Sequence, residues 1–353
     1  MLRGAIIGFG KIAQTGHWPA LSSDSLRSEI EITAVVEPDV AYQTKAREMI
    51  AGVRVYDNLE SLRRHERPDF VDICTPPFLH AATIISCAQS GMHILCEKPF
   101  GTSVADISPA AAVLRSRPEL VFMPCHQYRY SPVWRPFKEF IDSSHNNTQH
   151  LAQFNVYRTQ ADPGYLTSNP HWRTDRRLSG GGILADTGVH YLYMTLWLLG
   201  KPKSVYASTR RLSHGQLAVE DTAVVIIEAE RGLAEITLTW GGDRRANSAR
   251  LVSREGSLAY DGTRLERFTD KGGEILPVPD ASDKTQYVRL YVSLFEEFIA
   301  RIESRRSSSD WIDEAYDSIM LLDACYRSAE SHAAVMLDAA EYVTGSRPTA
   351  LHG

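Results

Sequence analysis

Through the first 123 residues, short apolar runs alternate with longer stretches in which apolar positions recur every three or four residues. The runs predict strands at Gly4 to Ile7, Ile32 to Val36, Val53 to Tyr56, Phe70 to Cys74, His93 to Cys96 and Leu120 to Met123. Helical periodicity predicts helices over Ala41 to Ile50, Leu59 to His65 and Ala81 to Gln89, the last stopped by Gly91. Apolar strands separated by helices are the pattern of a doubly wound parallel sheet. Beyond Ser131 the rhythm changes. A helix is predicted at Pro132 to Asp142, a strand of alternating polarity at Leu151 to Arg158, and a long loop at Thr159 to Ser179. One helix then spans Gly182 to Leu199 and closes at Gly200. From 203 to 278, alternation between tight turns at Arg231-Gly232 and Asp261-Gly262 predicts antiparallel strands. Ala234, Ile236, Leu238 and Trp240 would share one buried face there. Helices near Gln286 to Glu303 and Ile312 to Ala339 end the pattern.

A chain of 353 residues exceeds what one core usually organises, so two domains are expected, 1–123 and 124–353, with no linker between them. With 43% apolar and 23% charged residues, the composition is that of an ordinary globular protein. A formal charge of −5 counts against nucleic-acid and membrane partners and favours small-molecule ligands. Cys74, Cys87, Cys96, Cys125 and Cys325 show neither a zinc spacing nor an even count, so no metal site or disulfide frame is expected. Met1 leads straight into an apolar run without the pattern of a signal peptide, and no apolar stretch reaches the roughly 20 residues of a membrane span. A cytoplasmic location fits these features.

Gly8-Phe9-Gly10-Lys11-Ile12-Ala13 matches G-x-G-x-x-A between a strand and a helix-compatible stretch. Gly8 would permit the tight turn, Gly10 would admit a pyrophosphate to the backbone, and Ala13 would allow close packing. A glycine turn without a ligand is the alternative. Glu37, at the end of the next strand, is placed to accept from an adenosine ribose and to repel a 2'-phosphate. NAD is therefore expected, with NADP admitted if a nearby Lys or Arg answers the phosphate. Cys74-Thr75-Pro76-Pro77 and Glu97-Lys98-Pro99 end the fourth and fifth strands, at the sheet edge where open α/β folds bind ligands. Pro99 also allows a cis peptide after Lys98.

Asp186 and His190 stand four apart on the helix opened by Gly180-Gly181-Gly182 and so share a face. A carboxylate placed so can orient an imidazole, and histidine suits proton exchange near neutrality. On their own the pair reads better as a helix cap and a packed histidine than as a catalytic pair.

Together these motifs resemble the Gfo/Idh/MocA oxidoreductases, the group of glucose-fructose oxidoreductase and inositol dehydrogenase. The resemblance runs through the glycine turn, Cys74-Thr75-Pro76-Pro77 with His80, Glu97-Lys98-Pro99 and Gly181 to His190. It implies an α/β fold: an N-terminal Rossmann domain and a C-terminal α+β domain with an open, mostly antiparallel sheet that builds homodimers or homotetramers. Cofactor contacts would come from Gly8 to Ala13, Glu37, Cys74, Thr75, Pro76, His80, Glu97 and Lys98. Lys98, Asp186 and His190 map onto the family's catalytic positions. The substrate would be a sugar, sugar derivative or cyclitol whose secondary hydroxyl exchanges a hydride with nicotinamide. His190 is then general base or acid, Lys98 stabilises the alkoxide, and Asp186 orients substrate and histidine; the first two roles could be exchanged. Softer substrate contacts are His126, Tyr128, Arg129, Arg158, Trp172 and Arg173, with His171 in the same long loop. An NAD-dependent glycosidase and a non-catalytic ligand sensor of the same fold are the competing readings.

Overall fold

The computed structural model describes residues 1–161, 172–279 and 285–337. Strands β1 (Leu2–Ile7), β2 (Ile30–Val36), β3 (Arg54–Tyr56), β4 (Phe70–Ile73), β5 (His93–Cys96) and β6 (Phe122–Pro124) form a parallel sheet in the order β3-β2-β1-β4-β5-β6. The central strands are buried on both faces. Along β1, Ala5 and Ile7 enter one apolar cluster while Ile6 enters another on the opposite face. The strand order reverses between β1 and β4, which brings the turns after these strands side by side.

Helices α1 (Trp18–Leu21), α2 (Val40–Met49), α3 (Leu59–His65), α4 (His80–Gln89) and α5 (Val104–Arg115) connect these strands. Local chemistry sets their starts: Asp39 accepts from Ala41, Asn58 from Ser61 and Ser103 from Asp106, each at the head of its helix. Helix α5 is absent from the sequence expectations, because Pro109 inside it reads as a break.

The second half contains α6 (Arg135–Ser143), β7 (His150–Tyr157), α7 (Arg176–Ser179), α8 (Val189–Leu199), β8 (Pro202–Arg210), β9 (Thr222–Ala229), β10 (Gly232–Thr239), β11 (Ala246–Ser253), β12 (Gly256–Tyr260), β13 (Leu265–Thr269), β14 (Gly272–Leu276), α9 (Thr285–Glu303), α10 (Ser309–Ser331) and β15 (Val335–Met336). Its sheet runs β14-β13-β12-β11-β7-β10-β9-β8-β15, antiparallel except where β7 meets β10. One face is buried; on β9, Ala223, Val225 and Ile227 point inward while Val224 and Ile226 are 39% and 45% exposed. Among the described residues no helix is long and apolar enough to cross a membrane.

Three expectations need correction. The helix expected over 182–199 opens instead with a wide π-helical turn, Leu184–Gly188, before α8. The helix expected at Pro132 begins at Arg135, with Pro136 in its first turn. The last helix stops at Ser331, where His332 adopts a left-handed conformation, and Val335–Met336 then pairs with β8; residues 338 and 339 lie outside the described residues. The apolar run through Val335 and Leu337 suits either structure, and a free sheet edge decides it.

Helix α9 returns to the first sheet. Tyr291, Leu294, Phe295, Phe298 and Ile299 join Ile6, Phe9, Val35, Phe70, Leu95 and Met123 in one apolar cluster. Burying each of these phenylalanines is worth about 2 kcal/mol, so a helix from far along the chain completes the core of the first sheet.

Candidate active site

The turns after β1, β4 and β5 and the stretch from Ala185 to His190 that leads into α8 converge on a cavity of about 540 Å³. Of the expected residues, Gly8, Gly10, Lys11, Ile12, Glu37, Cys74, Thr75, Pro76, Glu97, Lys98, Trp172, Arg173, Asp186 and His190 line it. A contiguous chamber of about 420 Å³ shares Lys11, Lys98, Arg173, Asp186, His190 and Tyr287 and adds Tyr128, Arg158, Trp240 and Arg245. Phe9, Ala13, His80, His126 and Arg129 do not line either space. His171 lies outside the described residues.

Gly8 has φ of +89°, and its N–H donates to the Val36 carbonyl at 2.8 Å, which fixes the turn. A Cβ on Gly10 would meet no atom within 4 Å, so that backbone faces open cavity. Glu37 stands in the same cavity: Oε2 accepts from the Phe9 N–H at 2.7 Å and Oε1 from the Asp39 N–H at 2.9 Å. Burial pushes its pKa up, against the pull of these two donors. Phe9 and Ala13 thus act by backbone and packing. An adenine dinucleotide fits this donor set, with pyrophosphate at the bare backbone and ribose at Glu37.

His80 lies wholly inside the protein between two carbonyls, Nδ1 at 2.8 Å from Pro99 and Nε2 at 2.7 Å from Thr75. It ties the β4 exit to the β5 exit from behind rather than touching the cavity. The Lys98–Pro99 peptide is cis.

Beneath Lys98 lies a group of buried charges that the motif reading did not single out. His17, 0% exposed, is 2.8 Å from Asp72 through Nδ1 and 2.9 Å from Glu97 through Nε2. Glu97 also accepts from the Tyr291 hydroxyl at 2.7 Å and, through Oε2, from the Lys98 N–H at 3.0 Å. Burial works to lower the His17 pKa, but Asp72 carries it well above 6.5. Burial works to raise Glu97, yet His17, Lys98 and Tyr291 hold it at about 2. His17, Asp72 and Cys74, and likewise His17, Glu97 and Cys125, hold atoms of metal-binding type within 4.8 Å of one another. Both imidazole nitrogens are spent on carboxylates, and burial pushes the Cys74 thiol up to about 12, so this donor set does not fit a metal. The signal for the group was an acid, Asp72, in the middle of an apolar strand.

Lys98 Nζ donates to the Asp186 backbone carbonyl at 2.8 Å. Burial lowers its pKa, opposed by Asp186 and Glu97 and reinforced by Arg173. The Asp186 carboxylate is bonded by Arg173, whose guanidinium lies 4.6 Å from the Trp172 ring centre. Burial would raise the Asp186 pKa, but Arg173 and Lys98 hold it below 3.8. The expected partnership of this carboxylate with His190 is therefore replaced, since a guanidinium is the stronger partner.

His190 is oriented by Tyr193, whose hydroxyl lies 3.1 Å from Nδ1, and by the Tyr128 ring stacked at 4.4 Å. Burial, with Lys98, His126 and Arg158, lowers its pKa well below 6.5. His126 and Arg129 stand behind this wall: both bind Glu314 at 2.8 Å, and the His126 ring stacks on Tyr193 at 4.0 Å. The glycine run permits the close approach that seats the helix. A Cβ on Gly182 would sit 1.9 Å from the Glu220 carbonyl, and the Glu220 carboxylate accepts from Gly182 and Leu184.

Residues 2–124 match the model of an oxidoreductase family with an NAD-binding Rossmann fold, and residues 138–259 match the GFO/IDH/MocA C-terminal domain. The chain belongs to the GFO/IDH/MocA oxidoreductase family. This family member is 25% identical to a D-glucoside 3-dehydrogenase of Escherichia coli, over 95% of this chain and 97% of that protein. It is 26% identical to an inositol 2-dehydrogenase of Rhizobium meliloti, over 93% and 96% of the two chains. A levoglucosan dehydrogenase solved with NADH superposes with a TM-score of 0.83 at 20% identity, covering 96% of this chain and 99% of that one. The GFO/IDH/MocA fold, the NAD-binding domain and the oxidoreductase class are thereby established for this chain.

Proposed function

We propose that this oxidoreductase interconverts a secondary alcohol and a ketone on a sugar, sugar derivative or cyclitol, CH–OH + NAD⁺ → C=O + NADH + H⁺, with Lys98, Asp186 and His190 as its catalytic residues. The observation that carries the reading is that these three line one cavity with the glycine turn and Glu37. Bound there, the nicotinamide supplies the hydride acceptor.

The protein's own part is to hold the alcohol and move its proton. Neutral His190 presents Nε2, because Nδ1 is taken by Tyr193, and a tyrosine hydroxyl can pair with that nitrogen as donor or acceptor. Nε2 accordingly takes the hydroxyl proton in oxidation and returns it in reduction. Lys98 spends one of its three N–H bonds on the Asp186 carbonyl and turns the others to the developing alkoxide. Asp186 positions Lys98 through its backbone and Arg173 through its carboxylate.

The test is a screen of sugars and inositols with NAD and NADP, followed by nicotinamide absorbance. Steady reduction supports the reading; release of an aglycone with no net reduction would replace it with the glycosidase.

The outer face of the second sheet exposes Leu151, Tyr157, Tyr206, Val224, Ile226 and Leu233, each 37–46% accessible, and supports a homodimer or homotetramer built through it. Five free, buried cysteines support a reducing cytoplasm. Light scattering on wild type and Ile226→Glu tests the assembly.

A further inference from the structure

We infer that the substrate carries an oxyanion, a carboxylate or a phosphate, and that Arg158 receives it. This rests on the dehydrogenase reading of the same site and narrows its substrate class. Lys11, Lys98, Arg158, Arg173 and Arg245 all line the second chamber, against Asp186 as the lining carboxylate, and Asp186 is already bonded by Arg173. Arg158 is 9% exposed, yet its Nη1 donates to neutral oxygens: the Tyr157 carbonyl at 2.8 Å, the Ala246 carbonyl at 3.3 Å and Asn247 Oδ1 at 2.8 Å. All three of these bonds run through Nη1, and the guanidinium lines the chamber. A guanidinium that faces the chamber and is bonded only to neutral oxygens is placed to take a ligand oxyanion as its charged partner.

The site is built in advance. The Arg158 N–H donates to the Thr239 carbonyl at 2.8 Å, and the Arg158 carbonyl accepts from Gly242 at 2.9 Å, so the guanidinium stands on a fixed strand end. His190 and Lys98 line the same chamber, which puts the oxyanion and the reacting hydroxyl on one small molecule.

The experiment measures binding to the NADH-loaded protein by calorimetry, and kcat/KM with NAD, for matched sets of ligands. Hexuronates and hexose 6-phosphates are compared with their neutral parent hexoses. The expected result is binding about tenfold to a hundredfold tighter for at least one anionic member of each set. A preference for uronates alone assigns a carboxylate, and one for sugar phosphates alone assigns a phosphate. In Arg158→Gln the ratio of anionic to neutral binding should fall close to one. Equal binding of acids and parents by wild type overturns the inference without use of a variant, and so does a preference that survives Arg158→Gln. If no compound reduces NAD, the dehydrogenase reading fails, and the binding ratio still decides the oxyanion separately.

Discussion

Replacing His17 with glutamine keeps a polar side chain of similar reach but removes the positive charge between Asp72 and Glu97. All three groups are buried, so water cannot make up the loss. Removing one partner of a buried ion pair costs about 3–5 kcal/mol. At about 1.4 °C per kcal/mol for a single cooperative unit of 353 residues, the melting temperature should fall by roughly 4–7 °C. Urea unfolding followed by tryptophan fluorescence measures the loss, and a double cycle with Asp72→Asn should show the two changes to be less than additive. The pH dependence gives a second readout. His17 has its folded pKa raised above 6.5, so its contribution is full below that value and lost as pH rises through the raised one. Glu97 is depressed from 4.5 to about 2, so its contribution is present above 4.5 and lost as pH falls toward 2. Wild type should therefore lose stability on the alkaline side, and His17→Gln should lack that decline. A variant within about 1 kcal/mol of wild type, with an unchanged alkaline slope, would refute the assignment of an imidazolium here.

Lys98→Ala and His190→Ala should each lower kcat by about 10²–10⁴, read as the rate of NADH formation, with the cofactor still bound. Because burial keeps His190 neutral, the oxidation rate should stay flat through neutrality and fall only below pH 6.5, where stopped assays across pH would show the acid limb. Glu37→Gln should reduce the preference for NAD over NADP by about tenfold in kcat/KM, since the charge that repels a 2'-phosphate is gone. Residues 1–123 expressed alone should aggregate, as Phe9, Phe70 and Met123 lose the cover of α9; a soluble fragment with native-like unfolding would contradict the shared core.

Local signals carried much of the fold. Short apolar runs and glycine turns depend on near neighbours, and they located β1 to β6, as two-residue alternation located strands of the second sheet. Contacts between distant stretches were not legible. His17 meets Asp72 across 55 positions, and Tyr291 meets Glu97 across 194. His126 and Arg129 looked like substrate ligands because they follow a strand at the ligand edge. Only packing shows that Glu314, on α10, draws them behind the wall. The partner of Asp186 was missed for a related reason: spacing on a helix names a neighbour, but Arg173 comes from a loop and outcompetes it.

One apolar cluster contains residues of both sheets, from Ala5 and Ile73 to Ile236 and Leu251, and α9 covers the opposite face of the first sheet. Two bodies joined through common interiors cannot swing apart like jaws. Admission of a ligand therefore falls to side chains that line the chamber and reach solvent, such as Arg245, and heat should melt both sheets in a single step.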